Sequence, residues 1–425
     1  MDKEKINKFF QFLKLEEETE FDDQLQVEEK ELPSDTILKI DLPEGNLKEK
    51  LEQNRLRRFR RRMAIAALAV CIIGGFSLYN WLHMFHDYTV AESFENNVSG
   101  GTKYQQAGKN LYRYNSDGVS CVTRENEVIW SITYNMQAPI SDVSGTTMVI
   151  AEQQGNQIYV VNEDGLVGSF ESILPIQKVR VSNQGVVLAV LEDSDVTWVN
   201  LYRPDGASIA SDKTTVGDSG YPLDVDVSPN GEKVAVSFLN VEEGLPTTNI
   251  VFYNFGSEGK AKNNYVVTNE KVVGTVVPQI YFTGNATAAA IADNGFLVFK
   301  GNRVPKLDKT VTFDREIVSV FHDDERLGFL FRSDKPERDY RMELYNYNGH
   351  RTKARDINAE FDQIKIQNDQ IIMYSDSEIH VFTDSGIKRF GSHYEKEVAE
   401  VFYYSEFRKY LVITRDSFDR IRISS

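Results

Sequence analysis

Residues 223–256 read LDVDVSPNGEKVAVSFLNVEEGLPTTNIVFYNFG. Three short β patterns share this stretch. LDVDVS alternates apolar and polar residues, Pro229-Asn230-Gly231 turns the chain, KVAVSF is nearly all apolar, and NIVFYN closes at Phe255-Gly256. Alternation marks a half-exposed strand, and a short apolar run between turn signals marks a buried one. Asn and Gly tolerate the positive φ that tight turns demand.

The same order recurs on both sides. Upstream, Lys178–Gly206 gives KVRVS, NQG, VVLAVL, TWVNLY and Pro204-Asp205-Gly206. Ile140–Gly165 gives TMVIAEQ, QIYVVN and Asn162-Glu163-Asp164-Gly165. Gly101–Tyr134 gives KNLYRYN, Ser116-Asp117-Gly118, VSCVT and Glu127-Val128-Ile129-Trp130-Ser131. Downstream lie Val277–Asn302 (QIYF, ATAAAIA, FLVFK), Ile317–Gly349 (VSVF, LGFLF, MELYNY), Phe361–Gly386 (QIKI, QIIMY, EIHVF) and Glu397–Ser424 (AEVFYY, YLVIT, RIRIS). From the second module on, first strands fall near residues 139, 177, 223, 277, 317, 362 and 397, in steps of 35 to 54. Several short strands repeated at such steps are the signature of a β-propeller. The prediction is an all-β propeller of eight blades over 87–425, with seven as the alternative count. The last module lacks a fourth strand. Tyr88–Phe94 is predicted to supply it, so that both chain ends close the ring and two sheet edges disappear.

Ahead of the propeller stands an Arg-rich run, Arg55, Arg57, Arg58, Arg60, Arg61 and Arg62, leading into MAIAALAVCIIGGFSLYNWLHMF at 63–85. Those 23 residues hold no Asp, Glu, Lys or Arg. As a helix they would span ~35 Å, enough for a hydrocarbon core of ~30 Å. Arginines stay on the cytoplasmic side, which places 1–62 inside and the propeller outside. Tyr79, Trp81 and Phe85 fall at the far end, where amphipathic and aromatic rings favour the interface. A cleaved signal peptide lacks its A-x-A-like site here, and Val70 before Cys71 spoils a lipoprotein motif. The expectation is an uncleaved single-pass signal-anchor, with the lipid bilayer as a partner.

Residues 1–62 form a short arm. Lys3–Leu15 carries Ile6, Phe9, Phe10 and Leu13 at helical spacing, and Glu16–Glu31 carries nine acids against one lysine. So acidic a tract cannot bury enough apolar surface to fold, and the arm is predicted to be largely disordered. Asn46 is read as the cap of a helix running toward the arginines. The acidic tract admits two readings, a docking site for a basic cytosolic partner or a solvated spacer.

At this point a resemblance enters. Asp117-Gly118 followed by Glu127-Val128-Ile129-Trp130 resembles a quinoprotein-type propeller repeat. Val227-Ser228-Pro229-Asn230-Gly231 resembles the Ser-Pro-Asp-Gly turn of Tol-type and WD-repeat-like propellers. The whole layout resembles an uncharacterised family of single-pass, propeller-bearing membrane proteins from Gram-positive bacteria. The resemblance implies a structure and an address, and no activity.

The search for chemistry excludes more than it finds. Net charge is −16, which argues against a nucleic-acid partner. Quinone cofactors of this fold go with repeated Trp and a vicinal cysteine pair, whereas Trp130, Trp198 and Cys121 stand alone beyond the apolar segment. Cys121 reads as a small buried apolar residue. Gly217-Asp218-Ser219-Gly220 matches a serine-protease tetrapeptide, yet its loop composition favours a turn. His83, His86, His322, His350, His380 and His393 form no metal-ligand spacing. His322-Asp323-Asp324-Glu325 is an acidic turn, read as solvated or as a weak cation site. No catalytic, cofactor-binding or metal residues are assigned. The expectation is therefore a non-catalytic binding, scaffolding or sensing module of the cell envelope with a protein or glycan partner. The alternative is an envelope enzyme acting on polysaccharide or peptide. Acidic residues or histidines converging on one propeller face would favour it.

Overall fold

The computed structural model describes residues 44–424, except 99, 194–195, 216–219 and 405–407; for 44–53, 76–78, 80–82 and 263 it describes the backbone alone. Lys3–Leu15, the acidic tract and the 217–219 part of the protease-like tetrapeptide lie outside the described residues. The chain divides into two compact units between Ser77 and Leu78.

The first unit contains most of helix α1, Glu44–Leu82. The helix begins two residues before the expected cap at Asn46. Pro43 precedes it, and Glu44 opens it with a negative charge that suits a helix N-terminus. All six arginines of the run are exposed along it. Among the described residues no helix is long and apolar enough to cross a membrane. The 63–85 run is interrupted in that description at residues 76–78 and 80–82.

The second unit is a β-propeller of eight antiparallel four-stranded sheets. Eight is therefore the blade count, and seven is set aside. Blades 1 to 7 are each built from four consecutive strands. Blade 4, for example, holds β14 (Tyr221–Val227), β15 (Lys233–Glu242), β16 (Leu245–Asn254) and β17 (Val266–Val273). Blade 8 is made from both ends of the chain. Its strands β30 (Val398–Tyr403), β31 (Lys409–Thr414) and β32 (Ser417–Ser424) are completed by β1 (Asp87–Glu95). The β1–β32 register runs from Asp87 opposite Ser424 to Glu95 opposite Ser417, so the predicted closing strand is present.

The core lies between blades rather than at one centre. Leu188 and Val190 of blade 3 pack with Val225, Val234 and Val236 of blade 4, all at most 4% exposed. Phe85 joins blades 7 and 8 in the same manner, beside Phe390, Val401 and Ile421. Each blade pair thus buries the inner apolar strands that the sequence shows as unbroken runs. Gly231 takes φ +70 in the first turn of blade 4, and a Cβ there would come within 2.9 Å of Val186. Only glycine satisfies both demands. Cys121 is fully buried, as expected, and burial pushes its thiol up to about 11.

Candidate functional site

The first strand of every blade faces the ring axis, so its alternate side chains point into the channel. Between blades 2 and 6 this channel widens into a cavity of about 750 Å³. Its wall comes from β6 (Pro139–Ser144), β10 (Ile176–Val181), β14, β18 (Gln279–Gly284) and β22 (Ile317–His322).

Alternation places Asp142, Lys178, Arg180, Asp224 and Asp226 on that wall, with valines between them turned into the blades. Each aspartate reaches across to the next blade. Val181 N–H donates to Asp142 at 2.8 Å, Ile280 N–H to Asp224 at 3.0 Å, and Phe282 N–H to Asp226 at 2.6 Å. A first strand has one edge without a β partner, and these carboxylates satisfy part of it. Arg180 sits among all three aspartates and donates to Asp224 at 3.1 Å. Lys178 reaches the same carboxylate at 3.2 Å and also Leu223 O.

The electrostatics follow from this enclosure. Asp226 is partly open to the channel but walled in by protein. Burial, with Asp142 adding, pushes it up to about 8. Burial also raises Asp142, against the pull of Arg180 and its backbone donors. Burial opposes the charge on Arg180, but the three aspartates outweigh it and hold its pKa above the usual value. At neutral pH the cluster therefore holds a proton on Asp226 as well as the charge on Arg180.

Farther along the wall, His322 stacks on Tyr281 with ring centroids 3.8 Å apart and planes 9° from parallel. The channel wall lowers the His322 pKa by desolvation, against Asp323 and Asp324, so the imidazole is neutral. In the acidic turn the Asp323 carboxylate is already engaged. Asp323 is taken by Arg326 at 2.6 Å and by the turn's own N–H groups, and no metal-holding group exists among the described residues. The first turns of the blades form a linked rim. Ser144 donates to Asn183 at 2.5 Å, Asn183 N–H to Pro229 O at 3.1 Å, and Asn230 N–H to Asn285 at 2.9 Å.

Blades 7 and 8 are joined by a cation instead. Lys365 of blade 7 meets Glu400 of blade 8 at 2.5 Å and lies 4.0 Å from the Phe402 ring centroid. Burial lowers the Lys365 pKa although Glu400 opposes it. Tyr403 N–H donates to Gln367 at 2.6 Å, repeating the cross-blade device.

The residues singled out for topology and membrane contact lie elsewhere. Tyr79 is 59% exposed, and the Trp81 side chain lies outside the described residues. Phe85 is different: it is 1% exposed and belongs to the propeller. Its N–H donates to Arg389 O at 2.8 Å, and the Arg408 guanidinium lies 4.2 Å from its ring centroid. That aromatic ring is spent on blade packing, so it is not a bilayer anchor. The channel cluster was not singled out from the sequence. Its signal was present in D-V-D-V and K-V-R-V, charges alternating with valine on first strands.

A family model matches residues 82–423, which takes in all eight blades. The chain belongs to DUF5711, a family of unknown function. No curated protein matches this DUF5711 chain. Among solved structures, BamB from Moraxella catarrhalis is similar at 10% identity, covering 79% of this chain and 100% of its own, with a TM-score of 0.48. Saccharomyces cerevisiae Sqt1 is similar at 10% identity, covering 80% and 99%, with a TM-score of 0.48. Apo AztD from Citrobacter koseri is similar at 8% identity, covering 71% and 88%, with a TM-score of 0.50. At 8% identity the likeness to AztD speaks for the propeller fold alone.

Proposed function

We propose that this DUF5711 protein is a non-catalytic binding module of a Gram-positive cell envelope. The 63–85 segment anchors it as a single-pass protein, with residues 1–62 cytoplasmic and the propeller outside. The apolar run and its flanking arginines support the anchor. The observation that carries the binding role is the cavity of about 750 Å³, walled by charged and polar side chains from five blades. Its three aspartates are engaged in joining blades, which suits a wall that recognises rather than reacts. A protein or glycan of the envelope is the ligand of this site.

The test uses full-length protein in nanodiscs against arrays of envelope peptides and glycan fragments. Wild type binds a defined subset, and Thr283→Trp, which fills the cavity from β18, loses it. No binding by wild type, or equal binding by both, overturns the reading. The anchor is tested separately by an alkaline carbonate wash, which the chain survives in the membrane fraction.

One observation favours an enzymatic second reading. Asp142 and Asp226 share the cavity, Asp142 helps burial to raise Asp226, and a carboxyl kept protonated near neutral pH can serve as an acid. New reducing ends or peptide termini released by wild type and not by Asp226→Asn would establish it over binding alone.

A further inference from the structure

The wall of the channel cavity restricts what can occupy it. Its cations are already matched. Lys178 and Arg180 both reach Asp224, which is 5% exposed, at 3.2 and 3.1 Å. Asp226 carries a proton at neutral pH, burial having pushed it up to about 8. Asp142 faces Arg180 as well, and Asp324 stands where the wall ends at blade 6. The wall therefore lacks the surplus of cations that a polyanion needs, and most of its carboxyls are neutralised or paired, which leaves little for a polycation. A peptide's apolar side chains find few sockets. Val179, Val181, Val225 and Val227 turn into the blades and are at most 3% exposed.

The wall does offer hydrogen bonds in both senses. Asp142 and Asp226 each use Oδ2 on the next blade's N–H, which leaves each a second oxygen. Protonated Asp226 is a donor as well as an acceptor. Lys178 keeps a third N–H beyond those given to Leu223 O and Asp224. Exposed Gln279 adds an amide that has no side-chain hydrogen bond among the described residues. Beside these groups lies a flat surface. Tyr281 packs on the apolar core between blades 5 and 6, and His322 stacks on Tyr281. The His322 side chain is exposed, lines the cavity and stacks on no other ring among the described residues. Its outer face is open to the channel.

We propose that the cavity takes a neutral oligosaccharide, with one sugar ring lying on His322 and hydroxyls bonded along Asp142, Asp226, Lys178 and Gln279. The inference rests on the binding reading and names the class of its ligand. A sugar hydroxyl donates and accepts at once, which suits a wall that mixes both. The C–H face of a pyranose is weakly positive and settles on the negative face of an aromatic ring. Desolvation keeps the His322 imidazole uncharged for that contact. Because Tyr281 already fixes the platform, binding need not order it. The volume of about 750 Å³ lies within the ~300–1,000 Å³ of small-molecule sites, so a few sugar rings enter and a folded protein does not.

The experiment is a calorimetric titration of full-length protein in phosphatidylcholine nanodiscs. The probes are neutral trisaccharides (cellotriose, maltotriose and chitotriose), anionic trigalacturonate, the cationic chitosan trimer and the uncharged tripeptide acetyl-Ala-Gly-Ser-amide. At least one neutral trisaccharide binds, and the other probes bind about tenfold more weakly or not at all. His322→Ala weakens the sugar about tenfold, and His322→Phe, which keeps an aromatic face, stays within about twofold of wild type. Thr283→Trp abolishes binding. A thermal melt of each variant establishes that it is folded. A charged trimer or the tripeptide bound best, and lost in Thr283→Trp, overturns the sugar and leaves the cavity a binding site. Equal sugar binding by wild type and His322→Ala also overturns the proposal. So does the failure of every neutral trisaccharide to bind, and the envelope arrays then decide the binding reading by themselves.

Discussion

Two buried carboxylates show how neighbours decide what a charge does. Asp226 is raised to about 8 by burial and Asp142, against ~3.9 for an unfolded aspartate. The folded state therefore keeps its proton through that interval. The stability this contributes is complete below about pH 4 and drains away as pH rises toward 8. Urea midpoints should fall between pH 5 and pH 9, and Asp226→Asn should narrow the fall; an unchanged difference would contradict the assignment. Asp419 behaves in the opposite sense. It is fully buried, and burial works against its charge, but Lys396, Ser93, Tyr394 and Ser417 donate to it and hold it below the usual range. Its stabilisation is present above the unfolded pKa and is lost as pH falls through the folded one. Asp419→Ala leaves the Tyr394 and Ser93 hydroxyls without their acceptor, while half-exposed Lys396 turns to water, and should cost about 1–3 kcal/mol in denaturant unfolding. At Phe85 the same measurement on Phe85→Ala should give a loss of about 3–5 kcal/mol, because the ring fills space between two blades. None of these three roles was legible in the sequence. Phe85 ends an apolar run, and only the fold reveals that its surroundings are protein.

At the scale of elements the sequence was far more readable. Apolar runs such as VVLAVL became second strands, and Asn-Gly or Asp-Gly became turns, because period and turn chemistry are local properties. Lengths were less legible. KVAVSF and NIVFYN read as six-residue strands, yet β15 and β16 are ten residues each. Glu243 and Gly244 at φ 51 and 82 make the kind of tight hairpin turn that continues pairing through VEEGL. The hairpin tip leaves Val241 and Leu245 exposed at 68% and 51%. The channel face was legible in principle, since alternation fixes which side chains share a face. Which face meets the axis depends on the closed ring. The closing strand is open to test. Deleting residues 417–425 removes β32 and strands β1 and β31 without their shared partner, and should abolish the cooperative melt of the whole domain. A normal melt would make blade 8 dispensable.

For the whole molecule, the repeat predicted the architecture, and the contents of the ring determine the function. The open volume lies along the first strands of blades 2–6. Blade 8 also imposes an order in time. Ser93 and Asp419, which bond across it at 2.5 Å, lie 326 positions apart in the chain. During synthesis β1 is made before any complete blade, and its partner β32 follows all the other strands. A ribosome that stops early leaves an open crescent, with strand edges exposed to proteases and to other chains. The ring thus acts as a proofreader of translation, because only a chain read through β32 can close.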